Sequence, residues 1–237
     1  MKVSILLPYK ENYSPSYPGA VSIFVNSTNK LSNYKKDIVV YGSTNYSKKL
    51  SNNYVNIDLK KKILRSQSKE YESKFLEIQS KVDPDIIEIH NRPAYVDLLK
   101  KLKSAIVLYF HNDPISMIGS KSVDERVTLL TICSKIIFNS EWSKKQFLKD
   151  LKSFYHKSKK LEVIHQSTNK PIVKLNKKEN LITFVGKLNS AKGYDIFGEA
   201  VVKILDKYPK WRSLVIGDEP REKINISHKN LKNLGFQ

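Results

Sequence analysis

Short apolar runs alternate with longer amphipathic stretches along the chain. The strand-like runs are rich in valine and isoleucine and occupy 3–8, 37–42, 85–90, 105–111, 135–140, 161–166, 181–186 and 213–218, with a weaker candidate at 54–57. Apolar residues at helical spacing occupy 20–32, 60–82, 94–103, 122–133, 141–152 and 193–208. Most strand-like runs are continuously apolar, which is typical of strands buried on both faces. The alternation therefore predicts an α/β fold in which helices cover parallel sheets.

A polar stretch without clear periodicity divides this pattern near 168–179. It contains Pro171 and several lysine and asparagine residues, a composition typical of loops. We expect a Rossmann-like N-terminal domain over 1–170, a linker over 171–180 and a second βαβ unit over 181–237. The predicted fold is thus two doubly wound parallel-sheet domains in series, of which the second is incomplete.

The formal net charge is +19, and lysine supplies most of the positive charge. Such a balance favours an anionic partner, namely phosphates, nucleic acid or anionic lipid. The lysine and asparagine bias of an AT-rich genome would also produce it. A nucleic-acid-binding protein would be expected to carry more arginine and a recognisable motif. We therefore expect no nucleic-acid partner and leave open a contact with an anionic membrane surface.

The sequence contains few residues that bear on disulfide formation or on targeting to a membrane. The single cysteine, Cys133, excludes an intramolecular disulfide and falls in an apolar stretch that predicts a core position. The segment from Met1 to Pro8 is too short for the apolar part of a signal peptide, and no run approaches the ~20 apolar residues that cross a bilayer. These features predict a cytoplasmic protein, with peripheral attachment at the inner face of the membrane as the alternative.

Histidines occur at the carboxyl ends of three predicted strands. His90 is followed by Asn91 and Arg92, His111 ends the next run, and His165 lies at the end of the run 161–166. Ligands of open α/β sheets bind outside the carboxyl ends of the strands, so we expect these histidines to face a ligand. A structural role for each remains the alternative. No spacing of His, Cys, Asp or Glu suits a metal ion, and no metal site is expected.

The loop after the strand-like run 181–186 combines two glycines with two cations. Gly186 and Lys187 follow the strand, and Lys192 and Gly193 precede a helical stretch. A glycine allows close backbone approach, the helix N-terminus offers free N–H groups, and two lysines can hold both phosphates of a diphosphate. The loop is neither a G-x-G-x-x-G fingerprint nor a Walker loop. Solvated surface lysines are the alternative interpretation.

The segment "FVGKLNSAKGYDIFGEAVVKILDKYPKWRSLVIGDEP" resembles the start of the donor domain of family 4 glycosyltransferases, which have the GT-B fold. The matching positions are Gly186, Lys187, Leu188, Lys192, Gly193, Asp195, Pro209 and Gly217. The resemblance implies a GT-B-like fold and a UDP- or GDP-sugar donor whose diphosphate is clamped by Lys187 and Lys192. It also implies donor-binding roles for Gly19, Gly186, Gly193 and Gly217. His111 would be the catalytic, donor-facing histidine, and His90, Asn91 and Arg92 would lie on the acceptor side.

The function implied by this resemblance is retaining, metal-independent and cofactor-free transfer of a hexosyl group to an acceptor. Such an acceptor would be a cell-envelope glycan or lipid, as in lipopolysaccharide biosynthesis. The family's E-x7-E glutamate pair does not occur in this sequence, so we expect a chain truncated within the donor domain. Two alternatives stay open: another GT-B enzyme such as a nucleotide-sugar 2-epimerase, and a non-catalytic protein that binds anions or a membrane.

Overall fold

The computed structural model describes residues 1–59, 66–167, 178–219, 222 and 224–237. The chain splits into two compact units, 1–168 and 169–237, and each is described by itself. Part of the predicted helix 60–82 and most of the predicted linker 171–180 lie outside the described residues. The domain limits predicted from the sequence therefore remain predictions.

The first unit contains a seven-stranded parallel sheet. Its strands are β1 (Val3–Leu6), β2 (Ile38–Gly42), β3 (Tyr54–Asn56), β4 (Ile86–His90), β5 (Ala105–Phe110), β6 (Lys135–Phe138) and β7 (Leu161–Val163). The strand order is β3-β2-β1-β4-β5-β6-β7. The chain thus builds outward from β1 in one direction and then returns to build outward in the other. This reversal places the topological switch point of the unit between β1 and β4, where such sheets bind ligands.

Helices connect most of these parallel strands, whereas a loop without a helix joins β2 to β3. The α-helices of the first unit are α1 (Ala20–Leu31), α2 (Gln67–Val82), α3 (Val96–Leu99), α4 (Val123–Ile132) and α5 (Glu141–Leu148). Short 3-10 turns occupy Pro93–Tyr95, Pro114–Ser116 and Ser153–Lys157. The cap of α4 illustrates how local sequence sets a boundary, because Ser122 and Glu125 form a reciprocal capping box there.

The core of the first unit lies on both faces of the sheet. Leu6 packs in one hydrophobic cluster with Phe75 and Phe110, whereas its neighbours Ile5 and Leu7 pack in another. Successive residues of a strand point to opposite faces, so this separation shows that both faces of β1 are covered. Cys133 is fully buried in the first of these clusters, which confirms its predicted core position.

The second unit is a three-stranded parallel sheet with one long helix. It contains β8 (Leu181–Val185), a 3-10 turn (Ser190–Lys192), α6 (Tyr194–Lys207), β9 (Arg212–Ile216) and β10 (Leu231–Asn233), and the strand order is β10-β9-β8. Together the two sheets confirm the predicted GT-B-like α/β fold. Among the described residues of this unit, Leu188, Tyr194 and Val215 form a buried apolar cluster, Val201 and Leu205 of α6 are also buried, and Val185 is 72% exposed. One face of β8 is therefore poorly covered.

Two helices are shorter than the apolar spacing predicts. Instead of a helix over 94–103, a 3-10 turn leads into α3, which ends at Leu99. The lysine-rich sequence that follows offers only Leu102 to the core. The helix predicted over 141–152 ends at Leu148, and Asp150 has a φ of 62°, a left-handed conformation that an α-helix cannot include.

Candidate active site

The loop between β8 and α6 presents the two predicted lysines to solvent. Lys187 and Lys192 are both exposed, and no ion pair involves either ammonium group within the described part of the chain. Gly193 has a φ of 70° and is the N-cap of α6, which has no side-chain cap. Gly193 has no side chain to cap the helix, and the Tyr194 N–H donates to the Asn189 carbonyl at 3.2 Å, so the N–H groups that α6 can offer to an anion are those of Asp195 and Ile196. The loop therefore combines two unpaired cations with a helix N-terminus, a combination that suits an anion.

Two carboxylates from the segment after β9 brace this loop. The Glu222 Oε1 atom accepts the Ser190 N–H at 3.1 Å and the Ser190 hydroxyl at 2.7 Å. The Glu219 carboxylate accepts the Asn189 side-chain amide at 3.2 Å, and Asn189 in turn accepts the Lys192 N–H at 3.1 Å. The bracing fixes the backbone between the two lysines. It also means that the Ser190 N–H is already satisfied and is not offered to a phosphate.

The carboxyl ends of β8 and β9 meet through glycine. A Cβ atom built on Gly217 would lie 1.8 Å from the carbonyl oxygen of Gly186, and Gly217 has a φ of 143°. Both space and backbone conformation therefore require glycine at position 217. Asp195, in the first turn of α6, has a buried Oδ1 atom without a hydrogen-bond partner among the described residues. Its position at a helix N-terminus is electrostatically favourable.

In the first unit, a chain of hydrogen bonds joins two of the predicted histidines. His90 Nδ1 lies 2.7 Å from His111 Nε2, and His90 Nε2 lies 2.7 Å from the Glu88 Oε1 atom. On its other side, His111 Nδ1 meets the side-chain amide of Gln166. Glu88 and Gln166 were not predicted from the sequence. His165 is exposed, and the ligand-facing role expected of it stays a prediction; its neighbour Gln166 is the residue that contacts His111.

Packing and burial keep this histidine chain rigid and His111 neutral. His90 is fully buried, and the Tyr109 and His111 rings stack with their centroids 4.5 Å apart. Phe24 meets the edges of His90, Tyr109 and His111. Burial, with a smaller contribution from His90, lowers the pKa of His111 to about 3. His111 therefore acts as a neutral dipole and not as a cation at physiological pH.

The acceptor-side residues predicted after β4 have mixed surroundings. Asn91 is buried, has a φ of 52°, and its side-chain oxygen accepts the His111 backbone N–H at 2.8 Å. The Arg92 guanidinium donates to the Asn91 carbonyl at 2.8 Å and is partly exposed. His90 and Asn91 thus hold His111 in place, whereas Arg92 has surface to offer. The acceptor-side role of all three stays a prediction.

Gly19 lies at the N-terminus of α1, whose first turn is already occupied. The Glu11 Oε1 atom accepts the N–H groups of Val21 and Ser22 at 3.0 and 3.1 Å, and a Cβ atom on Gly19 would lie 1.8 Å from the same oxygen. The Gly19 N–H donates to the Asn12 carbonyl at 3.1 Å. Glu11 therefore fills the position in which a helix N-terminus would accept an anion. Gly19 remains a candidate phosphate contact only as a prediction.

One of the residues missed in the sequence left a detectable signal. Glu88 is the single polar residue between Asp85 and His90 in the strand-like run "DIIEIH", and it lies two positions before His90. Side chains two apart on a strand lie on the same face, so the pair could have been predicted. Glu11, Gln166, Glu219 and Glu222 lie in polar loops, where no local pattern distinguishes them from solvated residues.

The described residues form neither a cluster of metal ligands nor a membrane-spanning helix. There, no group of three or more histidine, cysteine, aspartate or glutamate side chains could hold a metal ion. Nor does the same part of the chain contain a helix with the length and apolar character needed to cross a bilayer.

Known proteins resemble this chain in the sequence of its second unit and in its fold. Residues 165–235 match the family described as glycosyl transferases group 1. No curated protein sequence matches the chain significantly.

Several solved structures have the same fold over the whole chain. HepE from Anabaena in complex with UDP-glucose has a TM-score of 0.69 at 13% identity, covering 100% of this chain and 70% of its own. The lipopolysaccharide outer core galactosyltransferase WaaB has a TM-score of 0.58 at 14% identity, with 100% and 68% covered. UDP-GlcNAc 2-epimerase from Neisseria meningitidis, bound to UDP-GlcNAc, has a TM-score of 0.58 at 14% identity, with 100% and 73% covered. The chain therefore has the GT-B-like fold, and its residues 165–235 match the group 1 glycosyl transferases.

Proposed function

We propose that this protein is a glycosyltransferase that moves a sugar from a UDP- or GDP-sugar to an acceptor, with retention of configuration. The loop from Gly186 to Gly193 carries the proposal. It lies inside the segment that matches the group 1 glycosyl transferases, and it places two exposed lysines beside an uncapped helix N-terminus. Retention and a cell-envelope glycan or lipid as acceptor are taken from the resemblance to family 4.

The chemistry required of this loop is stabilisation of a leaving group. When the bond between the sugar and the nucleoside diphosphate breaks, negative charge accumulates on the diphosphate. Lys187, Lys192 and the N–H groups at the start of α6 would stabilise that charge in the transition state. The bracing by Glu219 and Glu222 keeps the backbone between the lysines fixed, so less ordering is required when the donor binds. In this scheme, fixed cations take the part that a divalent metal ion plays elsewhere.

The contribution we assign to His111 is a contact with the donor sugar. A histidine with a pKa of about 3 is uncharged at neutral pH, so it would orient a hydroxyl group and would not neutralise a phosphate.

A 2-epimerase is the second candidate because enzymes of that type share the fold. The epimerase from Neisseria meningitidis and MnaA from S. aureus, solved with UDP, have TM-scores of 0.58 and 0.60 to this chain. Both reactions break the bond to a nucleoside diphosphate, so the lysine loop would serve either one. The observation that favours transfer is the group 1 match over residues 165–235.

The binding test is calorimetric titration of the chain with UDP and GDP. We expect Lys187→Ala combined with Lys192→Ala to weaken binding by about 2–4 kcal/mol, because two charge-assisted contacts are lost. The matched control is Lys203→Ala combined with Lys210→Ala, which removes the same charge from exposed positions of the same unit. Equal affinities for the two double variants would remove the diphosphate role from the loop.

The reaction is tested by product analysis with UDP-sugars as donors. Release of UDP with a new glycoside whose anomeric configuration matches the donor supports retaining transfer. Inversion of the configuration at C2 without a new glycoside would instead establish the epimerase.

A further inference from the structure

We propose that Glu88 and His90 are positioning residues that hold the His111 ring in one tautomer and present its Nδ1 lone pair to a ligand. The identity of that ligand as a donor sugar rests on the proposed function, but the tautomer itself does not. The inference starts from the hydrogen-bonded chain Glu88–His90–His111–Gln166.

The donor and acceptor at each link follow in order from the carboxylate. A carboxylate only accepts hydrogen bonds, so the His90 Nε2 atom, 2.7 Å from Glu88 Oε1, must carry a proton. When His90 is neutral it has one N–H group, and its Nδ1 atom is therefore an acceptor. Because His111 Nε2 lies 2.7 Å from it, His111 Nε2 must be the donor. The remaining nitrogen, His111 Nδ1, then carries a lone pair.

The Gln166 contact agrees with this assignment. The atom of Gln166 that faces His111 Nδ1 is the amide nitrogen, which can only donate. A glutamine amide can also turn over and offer its oxygen, so Glu88 sets the direction of hydrogen bonding and Gln166 fits it. Every link is satisfied in that direction.

The surrounding backbone prevents the His111 ring from escaping this arrangement. The Asn91 side chain accepts the His111 N–H at 2.8 Å, and the Asn139 side chain donates to the His111 carbonyl at 2.8 Å. The rings of Tyr109 and Phe24 enclose the imidazole. The backbone and the plane of the ring are therefore both fixed, and only the exposed Gln166 side chain can move aside easily.

The titratable groups around His111 keep it neutral. On β4 these are His90 and, beyond it, Glu88; on β5 the nearest is Tyr109, whose hydroxyl donates to the Ile164 carbonyl at 2.8 Å. Burial and the nearby Glu88 raise the pKa of Tyr109 to about 12, so the phenol stays neutral as well. Burial and His90 lower the pKa of His111 to about 3.

The class of ligand follows from the orientation of the lone pair. A group that replaces the Gln166 amide must donate a hydrogen bond to His111 Nδ1, as a hydroxyl or N–H does. Phosphate and carboxylate oxygens only accept, so lone pairs would face each other. The position therefore selects sugar or other hydroxyl groups and rejects anions, even in a chain with a net charge of +19.

The test is NMR of the full chain with ¹⁵N-labelled histidine, in which ring-nitrogen shifts distinguish protonated from unprotonated atoms. His111→Asn identifies the His111 signals by their loss. In the wild-type protein we expect His111 Nε2 to be protonated and Nδ1 unprotonated throughout about pH 5–8, the range in which an ordinary histidine titrates. A protonated Nδ1, or titration of His111 in that range, would overturn the proposal.

Glu88→Gln tests the part assigned to the carboxylate. A glutamine side chain can donate as well as accept, so it no longer dictates the direction of the chain, and we expect both tautomers of His90 and His111. Glu162→Gln is the control, because Glu162 is an exposed strand residue paired with Lys135 outside the chain of hydrogen bonds. Unchanged tautomers in folded Glu88→Gln would show that Glu88 has no positioning role. If that variant does not fold, the wild-type measurement still decides, and neither depends on sugar transfer.

Discussion

At the scale of single residues, Gly217 after β9 and Gly193 at the start of α6 require glycine for different reasons. At Gly217, a side chain would meet the Gly186 carbonyl, while at Gly193 a Cβ atom would meet nothing within 4 Å. Position 193 therefore needs glycine for its left-handed backbone alone. Position 217 needs it for both backbone and space.

We expect Gly217→Ala to be much more damaging than Gly193→Ala. The alanine at 193 should cost about 1–2 kcal/mol of unfolding free energy, as a left-handed non-glycine residue does. The alanine at 217 adds a collision with backbone that cannot be relieved by a rotamer change, which raises the cost to about 3 kcal/mol or more. Thermal unfolding followed by the signal of the second unit measures both. Similar losses for the two variants would contradict the close approach of the β8 and β9 ends.

At the scale of elements, the first turn of α1 is capped by a carboxylate from its own preceding loop. Glu11 accepts two of the N–H groups that a helix N-terminus leaves unsatisfied. The cap stabilises the helix and at the same time excludes other anions from that position. The N-terminus of α1 in the first unit would then not bind the diphosphate.

Glu11→Ala should destabilise the first unit by about 1 kcal/mol, the usual value for loss of a helix cap. Added phosphate should recover part of this loss, because the freed N–H groups can then bind an anion. Glu77→Ala is the control, since Glu77 forms an exposed pair with Lys81 on α2 and such pairs contribute little. Chemical denaturation with and without phosphate measures the difference. A Glu11→Ala protein as stable as the control would show that the cap is unimportant.

The positions of the strands could be predicted from the sequence, whereas the hydrogen bonds between side chains distant in sequence could not. Continuous apolar runs specify buried strands without reference to the rest of the molecule, and all nine were confirmed, with ends that differ by a few residues. The helix end after Leu99 depends on how few apolar side chains the following lysines leave for the core, and the end after Leu148 depends on the left-handed backbone of Asp150. The lysine loop was predictable because its residues are neighbours in sequence. The contact of Gln166 with His111 spans 55 positions and exists only because of the order of strands.

At the scale of the whole molecule, the two units have very different cores. The first buries large apolar residues on both faces of its sheet. Within the described residues of the second, the buried apolar side chains are Leu188, Tyr194, Val201, Leu205 and Val215, and Ile196 is 71% exposed. Because burial of apolar surface is the main stabilising contribution, the second unit should open more readily.

Hydrogen exchange should show this difference directly. We expect the amides of β4 and β5 to exchange by global unfolding of the first unit and those of β8 and β9 to exchange faster, through opening of the smaller sheet. UDP should slow exchange in β8 and β9 selectively if it binds the adjacent loop, since a ligand stabilises the state it binds. Equal protection of the two sheets without nucleotide would mean that the small core stabilises the second sheet as well as the larger core stabilises the first.

The directional chain through the first unit also constrains how this protein can change over evolutionary time. Each member of Glu88, His90, His111 and Gln166 donates to or accepts from the next, so a substitution at one position leaves its neighbour with an unmatched donor or lone pair. We therefore expect these four positions either to stay unchanged or to change together, so that each new donor meets an acceptor. The lysines of the second unit have no such dependence, and each can be exchanged for another cation independently.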